Sequence, residues 1–121
     1  MAIEIAAEPR AVTIHLRGWD WVFSARRRLE IPAWCIVGAA VIAREEIRRP
    51  VVSLTNTGTY LPGVLHYGPF GRGPNREFWA VRRQEWLVVI ECRGWGYARV
   101  VLGVPDPEVV AGTVRLVAGA R

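Results

Sequence analysis

The chain predicts a mainly β domain of about seven strands, with a short helix after the second strand and another at the C-terminus. Three observations carry this expectation. Short runs before residue 32 alternate apolar and polar side chains, the period of a half-buried strand. Between residues 76 and 102, three runs rich in aromatic and β-branched residues follow one another with only short breaks. Beyond residue 105 the spacing turns helical behind a helix-start signal. The 121 residues suffice for a single domain, 1–121, whose core needs no metal or disulfide. A hydrophobic share of 51% with 22% charged residues excludes a disordered chain.

In order, Ile3, Glu4 and Ile5 open a short alternating run that Pro9 stops. Val12, Ile14 and Leu16 then share one face of a second strand, with Thr13 and a solvent-facing His15 opposite. Glu8, Pro9 and Arg10 form a connection short enough for a hairpin. After Gly18 the period of two is lost, and Trp19, Val22 and Phe23 stand at helical spacing. This short helix would end on Arg26, Arg27 and Arg28, cations at the negative end of its dipole. Leu29 and Ile31 resume alternation up to Pro32. Residues 34–43 are apolar on every face, which fits a buried strand or a buried helix; Val37, Val41 and Gly38 tilt the reading to strand. Arg44, Glu45 and Glu46 begin a charged turn or short helix ended by Pro50. Residues 51–75, rich in Gly, Pro, Thr and Asn, read as a long loop, and such a loop in a compact domain is often functional.

The stretch 76–102 reads as a three-stranded antiparallel meander with runs 77–82, 86–91 and 97–102. Trp86, Val88, Ile90 and Cys92 share one face of the middle run, and Ala98, Val100 and Leu102 one face of the last. At the C-terminus Asp106 is placed to cap a helix, with Pro107 at its first position and Glu108 in its first turn. Val109, Val110, Val114 and Val117 would be its apolar stripe.

Several phrases look familiar together. Gly18 and Trp19, the run from Arg26 through Leu29, Glu30 and Ile31 to Pro32, and Leu61, Pro62, Gly63 and Val64 are the first of them. Arg76, Glu77, Phe78 and Trp79, then Tyr97, Ala98 and Arg99, complete the set. The chain resembles a family of small bacterial pleckstrin-homology-like (PH-like) proteins common in high-GC actinobacteria. The resemblance covers most of the chain and rests on Gly, Pro and aromatic positions rather than catalytic ones. It implies a bent antiparallel sheet or partly open barrel, plugged at one end by the C-terminal helix. It also implies a binding or assembly module, since the wider group is associated with oligomerisation. The basic loop with which eukaryotic PH domains hold phosphoinositides is not matched, because Glu8, Pro9 and Arg10 supply one Arg.

No residue pattern announces a reaction. Ser24, Ser53, Cys35, Cys92, His15 and His66 could act as nucleophile or base by type, yet none stands in a spacing that predicts contact. Glu45 and Glu46 sit in a charge-alternating run and read as solvated. The glycines at 68, 71 and 73 lack the Lys and Ser or Thr of a phosphate-binding loop. Neither histidine stands at metal-ligand spacing from Cys35 or Cys92, so no metal and no cofactor are expected. The two thiols lie in apolar runs and read first as buried and reduced, with a disulfide between them the lesser alternative. No basic start precedes an apolar segment at the N-terminus, and the charge-free window 51–71 is broken by prolines and glycines. A soluble, cytoplasmic, non-enzymatic protein without a transmembrane segment is the expectation.

All sixteen basic residues are Arg, and the net charge is +5. Arg in place of Lys matches a GC-rich coding sequence, but a basic surface of any origin attracts phosphates, acidic lipids and acidic proteins. Arginines recur at element ends beside tryptophans, and the candidates for a partner or anion are Arg26, Arg27, Arg28, Arg72, Arg76 and Trp95. Leu87, Val89 and Val101 fall on strand faces opposite the expected core, and an exposed apolar face there would serve self-association. The primary expectation is a non-catalytic module with a protein partner or a homo-oligomeric state. The alternative is a phosphate-directed binder of nucleic acid or acidic lipid; no nucleic-acid motif is present.

Overall fold

A computed structural model describes residues 3–16, 28–46, 59–61, 65–70, 76–81 and 84–119. The expected short helix near residue 20 lies outside them. Nine strands are described: β1 (Ile3–Glu8), β2 (Ala11–Leu16), β3 (Arg28–Pro32), β4 (Ile36–Ala43), β5 (Thr59–Leu61), β6 (Leu65–Phe70), β7 (Glu77–Val81), β8 (Trp86–Cys92) and β9 (Arg99–Leu102). Among the described residues there is one α-helix, α1 (Pro107–Gly119). The strands form two sheets, one ordered β1-β2-β3 and one ordered β4-β8-β9-β7-β6-β5. The fold is therefore mainly β with a C-terminal helix, and the described strands do not close into a barrel.

The first sheet follows the alternation. Glu8 pairs with Ala11, which leaves Pro9 and Arg10 as the turn. Leu29 and Ile31 of β3 are buried while Arg28 and Glu30 are exposed. In β2 the outer face is less open than expected: Thr13 is buried with its hydroxyl donating to Glu8 Oε1 at 3.4 Å, and His15 is half-buried.

Residues 34–43 resolve in favour of strand. A short 3-10 turn, Ala33–Cys35, leads into β4, and the ladder to β8 shifts register between Ile36 and Gly38. A shift of this kind twists a strand and re-aims its side chains, and Val37 at that point is exposed. A second 3-10 turn, Arg44–Glu46, follows. Within the expected long loop, β5 and β6 pair antiparallel, and β6 pairs with β7.

The expected meander is corrected. β7 and β8 do not pair; β9 lies between them, antiparallel to β8 and parallel to β7. Ala98 N–H donates to Arg76 C=O at 2.7 Å and Gly103 N–H to Ala80 C=O at 2.9 Å, so both ends of β9 are held against β7. The physical reason lies in its composition. Val100, Val101 and Leu102 are fully buried, as suits a strand with neighbours on both edges and cover on both faces.

The main core lies among the two sheets and the helix. It gathers Val12, Ile14, Leu29 and Ile31 from the first sheet with Phe78, Val88, Ile90 and Val100 from the second. Ala111, Val114 and Val117 enter it from α1, which packs on β4 and β8 and also touches β1 and β2. Val110 packs at its edge, but Val109 is exposed, so the apolar stripe starts one residue later than expected. Asp106 C=O accepts from Val110 N–H at 3.1 Å, the first helical bond, which places Asp106 at the cap. No described helix is long and apolar enough to cross a membrane.

Candidate functional site

The turn between β8 and β9 builds one wall of the candidate site. Cys92 N–H donates to Ala98 C=O at 2.9 Å, which closes the loop carrying Arg93, Gly94, Trp95, Gly96 and Tyr97. Gly94 reverses the chain at φ 73°, a conformation that side-chain-bearing residues avoid. The reversal lays Trp95 against Tyr97, ring centroids 5.5 Å apart at 67°. Tyr97 is itself held by Phe78 of β7, 5.7 Å away at 69°. Arg76, just before β7, stacks its guanidinium over the Tyr97 ring at 5.0 Å.

β3 supplies the opposite wall. Arg28 and Glu30 share its exposed face and pair at 2.9 Å. Between the walls lies a cleft of about 500 Å³ lined by Arg28, Leu29, Glu30, Arg76, Trp95, Gly96 and Tyr97. Three residues singled out in the sequence, Arg28, Arg76 and Trp95, thus meet in one concavity. The other three, Arg26, Arg27 and Arg72, lie outside the described residues. Sequence reasoning missed Tyr97 as a wall residue, because its run reads as strand from 97 whereas β9 starts at Arg99. The Gly-Trp-Gly-Tyr order was the available signal, since glycines flanking an aromatic mark a turn rather than a strand.

The cleft holds two guanidinium groups against one carboxylate, an aromatic ring beneath one of them and a half-buried indole beside it. Such a surface can grip an anionic oxygen with forked N–H donors and lay a flat group against the aromatics.

The proposed self-association face is corrected. Leu87, Val89 and Val101 do lie opposite the main core, as the alternation requires, but they are 1%, 3% and 0% exposed. With Trp79 and Val81 they form a second buried cluster against which Ile42 packs. Alternation assigns a residue to a face; it does not say whether that face is covered.

A smaller cavity of about 210 Å³ is lined by Val37, Glu77, Glu91, Cys92, Arg93, Ala98 and Arg99. Glu77 is buried there, accepting from Arg99 Nη2 at 2.7 Å and from Trp79 Nε1 at 2.9 Å. The Arg99 guanidinium also stands over the Trp79 ring at 5.5 Å. Burial pushes the Cys92 thiol far above its ordinary range, and the neighbouring Cys35 and the Glu91 carboxylate act in the same direction. Among the described residues no group of three or more His, Cys, Asp or Glu is placed to hold a metal ion.

Compared with protein-family models, curated proteins and solved structures, the chain matches none of them.

Proposed function

We propose that the chain is a non-catalytic binding module of the PH-like type, and that it takes a phosphate-bearing partner in the cleft of Arg28, Arg76 and Trp95. The observation that carries this reading is the convergence of two arginines and two aromatic rings, from separate elements, on one concave surface. Guanidinium groups match the tetrahedral oxygens of a phosphate better than a point charge does, and aromatic rings accept a base or sit at a lipid interface. The net charge of +5 adds long-range attraction to the same partners. Two sheets around one core, with the C-terminal helix against both, support the PH-like reading; the parallel β7–β9 pair departs from an all-antiparallel meander. The cytoplasm is the compartment that suits two neighbouring free thiols.

Binding to a single-stranded oligonucleotide and to phosphatidylglycerol vesicles, measured across a salt series, tests the proposal. Affinity should fall steeply with salt, and for the oligonucleotide Arg28→Ala and Arg76→Ala should each flatten the log–log slope by about 0.7. A response to only one of the two probes identifies the source of the phosphate. Binding that is indifferent to salt, or to both substitutions, would overturn the reading.

Self-assembly is the second reading, and one observation favours it. Val109 and Leu116, two turns apart on α1, are 67% and 76% exposed, an apolar strip on the helix face that points away from the core.

A further inference from the structure

Cys35 and Cys92 are the only cysteines in the chain, and the fold brings them together. Cys35 ends the 3-10 turn before β4, and Cys92 ends β8. Across the β4–β8 ladder Ile36 stands opposite Cys92, and Arg93 N–H donates to Cys35 C=O at 2.9 Å. In a regular ladder, neighbours offset by one position point to opposite faces. The 3-10 turn breaks that rule here. It leaves both side chains in the main core, where Cys35 neighbours Cys92 and its Sγ donates to Pro32 C=O at 3.0 Å. Facing residues such as Ile36 and Cys92 have Cα atoms roughly 4.5–5.5 Å apart, and Cys35, one residue before Ile36, stays near the span that a disulfide bridges.

Access differs between the two sulfurs. Cys35 is 1% exposed, whereas Cys92 is 8% exposed and lines the cavity of about 210 Å³ with Val37, Arg93 and Arg99. A space of that size admits a molecule little larger than water, which occupies about 30 Å³ of liquid, far more readily than a bulky peptide disulfide.

We propose that Cys35 and Cys92 form a reversible disulfide in response to a small peroxide, with Cys92 the sulfur oxidised through the cavity and Cys35 the resolving thiol. In the first step the Cys92 sulfur takes one oxygen of hydrogen peroxide. The O–O bond breaks, water leaves, and Cys92 becomes a sulfenic acid. In the second, the Cys35 sulfur displaces the hydroxyl from Cys92, an S–S bond forms, and a second water leaves with the Cys35 proton. Two thiols and one peroxide thus give one disulfide and two waters. Burial keeps Cys92 protonated, so the first step is slow compared with that of an exposed thiol. The new bond would tie the entry of β4 to the base of the turn that carries Trp95 and Tyr97, and so brace one wall of the cleft.

The test uses the intact, folded protein. After incubation with hydrogen peroxide it is denatured in an alkylating agent, and labelled thiols and intact mass are read together. Both cysteines should label before treatment and neither afterwards, with a mass lower by two hydrogens that a dithiol reductant restores. The oxidised form should melt roughly 10 °C higher than the reduced one. In Cys35→Ser the sulfenic acid should persist at Cys92 and react with dimedone. Two thiols still labelled after treatment, oxygen added without a cross-link, or disulfide-linked dimers would each overturn the proposal. The wild-type result decides the matter even where Cys35→Ser fails to fold.

Discussion

Glu77 and Arg99 show what one buried charge pair demands of its surroundings. Their side chains are 9% and 15% exposed and meet at 2.7 Å, and Trp79 donates to the same carboxylate oxygen. Removing one partner leaves the other charge in the protein interior, which is far less favourable than removing both. Glu77→Ala should therefore lower unfolding stability by about 3 kcal/mol, read from the urea midpoint. Arg28 and Glu30 pair at a similar distance, 2.9 Å, but at 59% and 53% exposure. There water screens the attraction, and Glu30→Ala should change stability by less than about 1 kcal/mol. The two substitutions, measured side by side, separate a structural pair from a surface one.

At the scale of the element, α1 combines good ends with a weak middle. Asp106, Pro107 and Glu108 favour its start, and Val114 is fully buried against the sheets. Gly112 is the weak point, because glycine loses more backbone freedom on entering a helix than alanine does. A Cβ added at Gly112 would meet nothing within 4 Å. Gly112→Ala should accordingly stabilise the protein by about 0.5–1 kcal/mol, seen as a higher melting temperature. Val114→Ala should act in the opposite sense, by roughly 2 kcal/mol, through lost burial and the cavity left behind.

Across the whole molecule, the second sheet is buried on both of its faces at the centre. Phe78, Val88 and Val100 face the main core, while Trp79, Leu87, Val89 and Val101 pack in a separate cluster on the other side. This arrangement makes a definite prediction about assembly. Leu87→Ala should destabilise the fold by about 2–5 kcal/mol, yet native mass spectrometry should return the same stoichiometry as wild type. If the protein is oligomeric, Leu116→Arg on the open face of α1 is the substitution that should dissociate it while leaving the melting temperature nearly unchanged.

Local pattern alone determined the mainly β class, the β1–β2 hairpin, the two faces of β8 and β9, and the start of α1. Each depends on neighbours within a few residues: the period of two in Val88 and Ile90 against Leu87 and Val89, or Asp106 ahead of Pro107. Arg28, Arg76 and Trp95 were also legible as candidates, since arginine and tryptophan at element ends stand out by type. What tertiary structure decided is who stands beside whom. The unbroken apolar run Val100, Val101 and Leu102 hinted at a strand covered on both faces, but only the ladder hydrogen bonds place β9 between β7 and β8. The β7–β9 pairing brings Arg76 beside the turn at Trp95, and the packing of the two sheets brings β3 to the same cleft. Side-chain clustering with Trp79, Val81 and Val101 buries Leu87 and Val89, and the β4–β8 pairing seats one thiol beside another. Periodicity is a property of a segment, whereas burial and adjacency are set by long-range contacts between segments far apart in the chain.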